Sequence, residues 1–481
     1  MNKYLIILLS LIGTFHQSHG QHQEEVARKY AATIKYEDLQ RHLSLLASDS
    51  LEGRETGKRG QKMAADYIKN HFEKIGLAGP MPDGGYLQKF NLYITKRGEA
   101  ELIAGGDTLR NLKEIVYWSD NPIERTQASF IYVGEATKKQ LQEIDVKGKF
   151  VCFKASGQFT PVLTRLEEAG ASGALVMAED SAKMALITRY GEYYVTQGTL
   201  SRKKPETGGL SSMVTYKKVV EKLYGKSVED LELGDTFSAE MYGEVNIEIM
   251  GTENVLGYLE GGEKKDELVV ITAHYDHLGI QGDKIFNGAD DDASGTTAVL
   301  EIAEAFAKAK ADGYVPTRSI LFMPVTGEEK GLLGSAYYAE NPVFPLENTV
   351  VDLNIDMIGR VDSIHSNNRE FVYLIGSDRI SKELHEISES INNQYTMLDL
   401  DYTYNAEDHP DRIYYRSDHW NFAKNGVPII FYFNGTHKEY HKETDTVDKI
   451  QFDLLKKRSD LVFFTAWELA FRPERLIIDK K

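Results

Sequence analysis

The side chains in this sequence best suited to chemistry fall in five separated segments. They are His274-Tyr275-Asp276, the run Gly288-Ala289-Asp290-Asp291-Asp292-Ala293-Ser294-Gly295, Gly327-Glu328-Glu329, Asp356 and His441. Imidazole and carboxylate are ligand types that suit zinc. So many acids drawn to one place need cations to neutralise them. Two divalent ions about 3.5–4 Å apart would lower the pKa of bound water toward roughly 7 and polarise a scissile carbonyl. Neighbouring side chains on an extended segment point to opposite sides. One of Glu328 and Glu329 can therefore hold a metal while the other carries a proton from the water to a leaving amine. His274 needs its second ring nitrogen fixed, and Asp276, two residues on, is placed to do it.

Each segment has an ordinary reading when taken alone: an Asp run complements a helix N-terminus, and a Glu pair is commonly exposed. Their joint placement changes the odds. His-Glu-x-x-His and Gly-x-Ser-x-Gly are both absent, which removes two common hydrolase designs. Ser417-Asp418-His419 has the residue types of a triad, but adjacent residues cannot stack in the order a triad needs; this segment is expected to shape the rim of the site.

The elements that must position these residues alternate strand and helix from about 246 onward. Strands are expected at 268–272, 319–325, 350–355, 371–375 and 428–433, with helices at 294–310, 380–392 and 452–470. Such alternation predicts a mostly parallel sheet flanked by helices, an α/β fold. In open sheets of this kind ligands bind beyond the carboxyl ends of the strands, which is where all five segments fall. Earlier in the chain, 36–79 reads as helical up to Gly76, and 87–94 as a strand. Residues 116–245 read as a separate small α/β module without a cluster of metal-type residues. The expected organisation is a signal segment at 1–20, the N-terminal part of the main domain at 21–115, the inserted module at 116–245, and the main domain at 246–481.

The chain has 481 residues, 42% of them hydrophobic, and a formal net charge of -17. That balance excludes nucleic acid as a partner, because phosphate binding needs clustered Lys and Arg. Lys3, the apolar run Tyr4–Phe15 and the small residues before Gly20 form a secretory signal pattern, so a secreted or periplasmic location is expected. No later stretch reaches the roughly 18 apolar residues of a membrane anchor. Cys152, the single cysteine, lies in an apolar run and is expected in the core.

The segments Ala273-His274-Tyr275-Asp276, Gly288–Gly295, Thr326-Gly327-Glu328-Glu329, Asp356-Met357 and Tyr440-His441 resemble those of the co-catalytic dizinc aminopeptidase and glutamate carboxypeptidase family, in family order. Val146-Lys147-Gly148-Lys149 and Gly170–Ala174 resemble, more weakly, the protease-associated (PA) domain often inserted in these enzymes. The resemblance implies the zinc-exopeptidase fold and two zinc ions bridged by Asp291. His274 and Asp356 would complete one site, and Glu329 and His441 the other. It further implies Glu328 as general base and acid, Asp276 as the residue orienting His274, and Tyr414 or Tyr440 as oxyanion donor. A peptide substrate follows, with aminopeptidase activity favoured by the acidic composition. The alternatives are glutamate-carboxypeptidase-like or dipeptidase activity, a single-zinc glutaminyl cyclase, or a receptor-like relative that has lost ligands. A carboxypeptidase would need Arg or Lys at the pocket, and Arg360, Arg412, Arg416 and Lys438 lie near the motif segments.

Overall fold

A computed structural model describes residues 22–206 and 210–479. The expected signal segment at 1–20 lies outside the described residues. The chain forms two compact units, one comprising the described residues up to Phe90 together with those from Gly251 onward, the other Asn91–Met250.

The first unit is built on a seven-stranded sheet. Its spatial order is Gly257–Leu259, Arg318–Val325, Lys264–His274, Thr349–Ile355, Ile429–Phe433, Phe371–Ile375 and Asp399–Asp401. The four strands from Arg318–Val325 to Ile429–Phe433 are mutually parallel. Antiparallel pairings join Gly257–Leu259 at one side and Phe371–Ile375 at the other. Alternate residues of the central strands enter different cores. Val269, Ile271, Val351 and Leu353 pack on one face, and Leu268, Val270, Leu321 and Phe431 on the other. Burial on both faces is why these strands read as unbroken apolar runs rather than as alternating ones. Helices Ala293–Ala311 and Phe452–Phe471 cover the first face, where Phe306 lies against Phe463 and Trp467.

The helical reading of 36–79 is corrected. Two helices, Tyr36–Leu46 and Arg59–Lys74, are separated by a tight segment around a 3-10 turn at Asp49–Arg54. Glu52, Gly53 and Arg54 all have positive φ, which no α-helix accommodates. Gly53 is required there: a Cβ would stand 2.3 Å from the Phe286 carbonyl oxygen. The second helix ends at Gly76, whose φ of +81° suits a glycine stop.

The second unit is a nine-stranded sheet whose four parallel strands, Ile123–Tyr132, Phe150–Lys154, Gly173–Met177 and Ser211–Thr215, lie side by side. Its limits are wider than the expected 116–245 because the long strands Leu87–Ala104 and Thr236–Val255 belong largely to its sheet. Cys152 is fully buried in this unit's core, and burial pushes its thiol up to about 12; it is an inert packing residue. No described helix is long and apolar enough to cross a membrane.

Candidate metal centre

All five motif segments come together at the carboxyl ends of the parallel strands. His274 ends its strand, paired with Val325 of the neighbour. Glu328 and Glu329 lie three and four residues past that Val325, Asp356 follows Ile355, and His441 sits on the loop after Ile429–Phe433. The aspartate run precedes helix Ala293–Ala311.

The structure separates the three aspartates by what their carboxylates touch. Asp292 caps the helix, accepting from Gly295 N at 2.9 Å, and also accepts from Met357 N at 2.9 Å. Asp290 accepts from Gly359 N at 2.7 Å and Asn434 Nδ2 at 3.0 Å. Asp291 faces the imidazoles, with Oδ1 3.2 Å from His274 Nε2 and Oδ2 3.2 Å from His441 Nε2. Asp356 Oδ1 lies 3.6 Å from His274 Nε2, and Glu329 Oε2 lies 3.2 Å from His441 Nε2.

A residue that sequence reasoning missed, His277, joins the second group. Its Nδ1 is 2.8 Å from Glu329 Oε1 and 3.8 Å from Asp291 Oδ2. The signal was available as the fourth residue of His274-Tyr275-Asp276-His277. Two triplets, His274–Asp291–Asp356 and His277–Asp291–Glu329, each bring three ligand atoms close enough to hold one ion. His274 Nε2, both ring nitrogens of His277, Asp291 Oδ2 and Glu329 Oε1 are buried without a hydrogen-bond partner among the described residues. Close approach without hydrogen-bond alignment means that these atoms face common points rather than one another. A buried polar atom left so is costly, and a cation at each point would satisfy them. The donor set therefore fits zinc.

The local electrostatics say the same. Burial disfavours an imidazolium at His274, yet Asp356, Glu328 and Asp291 push it well above its ordinary value. Burial is likewise outweighed at His441, which Asp291 and Glu329 push up to about 10. Glu328 is raised well above the usual carboxylate range by burial, against the pull of His274 and with the push of Asp356 and Glu329.

The surrounding shell holds the loops in place. His274 Nδ1 meets the Asp276 carbonyl oxygen at 3.1 Å, so it is the main chain of Asp276 that fixes the ring. The Asp276 carboxylate, 3.8 Å from Nδ1, accepts instead from Thr56 Oγ1 at 2.7 Å and from Glu328 N at 3.2 Å. Arg54, fully buried, donates to the carbonyl oxygens of Tyr275 at 2.7 Å, Asn287 at 2.7 Å, Gly288 at 3.0 Å and also Leu46. It ties the His274 loop to the Asp291 loop. Asp445 accepts from Asp290 N at 2.9 Å and Asp291 N at 3.2 Å.

A cavity opens beside the cluster. Asp291, Glu328 and Asp356 form its acidic floor, Met357, Ile413, Phe431 and Phe433 an apolar wall, and Arg416, Thr436 and Tyr440 its polar remainder. The two tyrosines are thereby distinguished. Tyr440 lines the cavity, its ring stacked 3.9 Å from that of His441. Tyr414 lies outside the lining, its ring under Arg379 at 4.3 Å. Ser417, Asp418 and His419 are buried rather than on a rim, and each has its own partner: Asn354 donates to Ser417 Oγ, Ser335 to Asp418, and His419 Nε2 meets Tyr414 O.

Residues 254–466 match the model of peptidase family M28. Over those residues the chain is similar to that family. The M28 segment contains every motif residue named above, from His274 to His441. The chain is 30% identical over 218 residues to a probable leucine aminopeptidase of Arthroderma otae, covering 43% of this chain and 56% of that protein. It is 29% identical over 261 residues to a probable zinc metalloprotease of Pyrenophora teres f. teres, covering 46% and 52%. The chain thus spans about half the length of the curated relatives it matches. An aminopeptidase structure from Aneurinibacillus sp. strain AM-1 superimposes with a TM-score of 0.54 at 19% identity, covering 95% of this chain and 98% of that one. That likeness shows the fold.

Proposed function

We propose that the chain is a zinc-dependent aminopeptidase that removes the N-terminal residue from peptides. The observation that carries this is the placement of Asp291, one carboxylate oxygen 3.2 Å from His274 and the other 3.2 Å from His441. Asp291 would contribute to holding both of two zinc ions. His274 and Asp356 would complete one site. Glu329 and His441 would complete the other, with His277 as a further donor. When bound, zinc supplies Lewis acidity and a lowered pKa for water.

The chain's own groups do the rest. Glu328 belongs to neither triplet yet lies 4.0 Å from His274 Nε2 and lines the cavity. Its position beside the ligands but in neither triplet suits a group that takes a proton from water and returns it to the leaving amine. Tyr440, which lines the cavity, would donate to the developing oxyanion. The relatives' printed names favour an aminopeptidase over a carboxypeptidase. The apolar wall beside the acidic floor receives the first side chain. The printed names of the relatives, leucine aminopeptidase and zinc metalloprotease, agree with this reading.

Hydrolysis of Leu-Gly-Gly and its N-acetylated form, measured side by side, tests the proposal. Cleavage of the free peptide alone supports it, and equal cleavage of both overturns it. Residues 1–20 are read as a secretory signal and 116–245 as a PA-like module. N-terminal sequencing of the mature protein, with a start just past Gly20, checks the first of these.

A further inference from the structure

The cavity holds one strong cation, Arg416, and that cation is uncommitted. Its side chain is exposed and shows no hydrogen bond or ion pair with any described residue, although Asp291, Glu328 and Asp356 line the same cavity. The other basic residues near the motif segments are engaged elsewhere. Arg360 is bound to Glu439 at 2.8 Å and Arg412 stacks on Tyr415 at 4.7 Å. Lys438 is 86% exposed, lies 3.6 Å from Glu439 and is not part of the cavity lining.

Resting on the aminopeptidase reading, we propose that Arg416 is a specificity-determining residue that binds a carboxylate of the substrate on the leaving-group side of the scissile bond. The apolar wall of Met357, Ile413, Phe431 and Phe433 is complementary to an apolar first side chain. The carboxylates of the floor are committed to the metals and to proton transfer, which leaves the guanidinium for a group of the substrate. An unpaired planar fork of N–H donors at the edge of such a site matches a carboxylate bidentately, and a lysine would not reproduce that geometry. The carboxylate has two possible sources, the C-terminus of a dipeptide or an acidic side chain next to the cleaved bond. Both present the same chemistry to Arg416. The substrate class is therefore short peptides with an apolar first residue and a carboxylate immediately beyond the scissile bond.

The test compares kcat/KM of the zinc-loaded full chain on Leu-Gly against Leu-Gly-amide, and on Leu-Asp-amide against Leu-Asn-amide. A charge-assisted bidentate contact predicts a preference of about 10- to 100-fold for the carboxylate member of at least one pair. The first pair reports the C-terminal source and the second the side-chain source. In Arg416→Gln the preferred pair's ratio falls to near one, and in Arg416→Lys it is recovered only in part. The preference should appear mainly in KM. Calorimetric binding of Leu-Gly and Leu-Gly-amide, and of Leu-Asp-amide and Leu-Asn-amide, to Glu328→Gln supplies a readout that does not need turnover. No preference in either pair in the natural chain, or a preference that survives in Arg416→Gln, overturns the inference. A chain that binds with the predicted preference but hydrolyses none of these peptides overturns the aminopeptidase reading and leaves the Arg416 assignment standing.

Discussion

Replacing Arg54 with Met should cripple the metal centre although Arg54 touches neither metal ligand nor substrate. The guanidinium donates to four buried carbonyl oxygens, those of Leu46, Tyr275, Asn287 and Gly288. Hydrogen bonds from a charged donor contribute roughly 1.5–3 kcal/mol each. Against this stands the cost of burying the cation, which lowers its pKa from 12.5 to about 10; at 1.36 kcal/mol per pKa unit that is about 3 kcal/mol. The net loss in Arg54→Met is then about 3–9 kcal/mol. It falls on the two loops that carry His274 and Asp291, so zinc affinity should fall together with stability. Urea denaturation with and without saturating zinc, and zinc content after dialysis, would measure both. If Arg54→Met unfolds within about 1 kcal/mol of the natural chain and keeps its zinc, the anchoring role is wrong.

Other substitutions separate the proposed roles. Glu328→Gln should reduce kcat by about 10²–10⁴-fold with zinc content unchanged; retained activity would remove Glu328 as proton carrier. Tyr440→Phe should lower kcat by about 10²–10³-fold, as the loss of one oxyanion donor does, while Tyr414→Phe should leave it near that of the natural chain, and the reverse pattern would reassign the donor. Away from the site, burial raises the Glu301 carboxyl from 4.5 to about 8. The folded state thus holds a proton that the unfolded state releases above about pH 4.5, so this contribution to stability is full below that pH and is lost as pH rises toward 8. Glu301→Gln should therefore raise Tm more at pH 8 than at pH 5, and an equal shift at both would contradict the assignment.

Much of this was legible in the residues. The central strands are buried on both faces, so they declared themselves as apolar runs, and the strand-end rule then placed His274, Glu329, Asp356 and His441 on one rim. Choosing Asp291 from its run rested on the family resemblance alone, and its physical reason needed coordinates, because all three aspartates are buried and only their partners differ. Arg54 was invisible for a related reason. It acts on main-chain oxygens, which leave no pattern in side-chain types, from a position 220 or more residues away in sequence. The break in the helical reading of 36–79 has the same origin, since Gly53 is fixed by the close approach of the Phe286 carbonyl. His277 could have been found, because a histidine directly after a motif aspartate shares its loop with the ligands.

The paired zinc sites are tested most directly by counting metal. Elemental analysis of the purified chain should give about two zincs, falling to about one in His274→Ala, and exhaustive chelation should abolish peptide hydrolysis until zinc is restored. A natural chain that binds no zinc, or that hydrolyses peptides undiminished after chelation, would contradict the central claim.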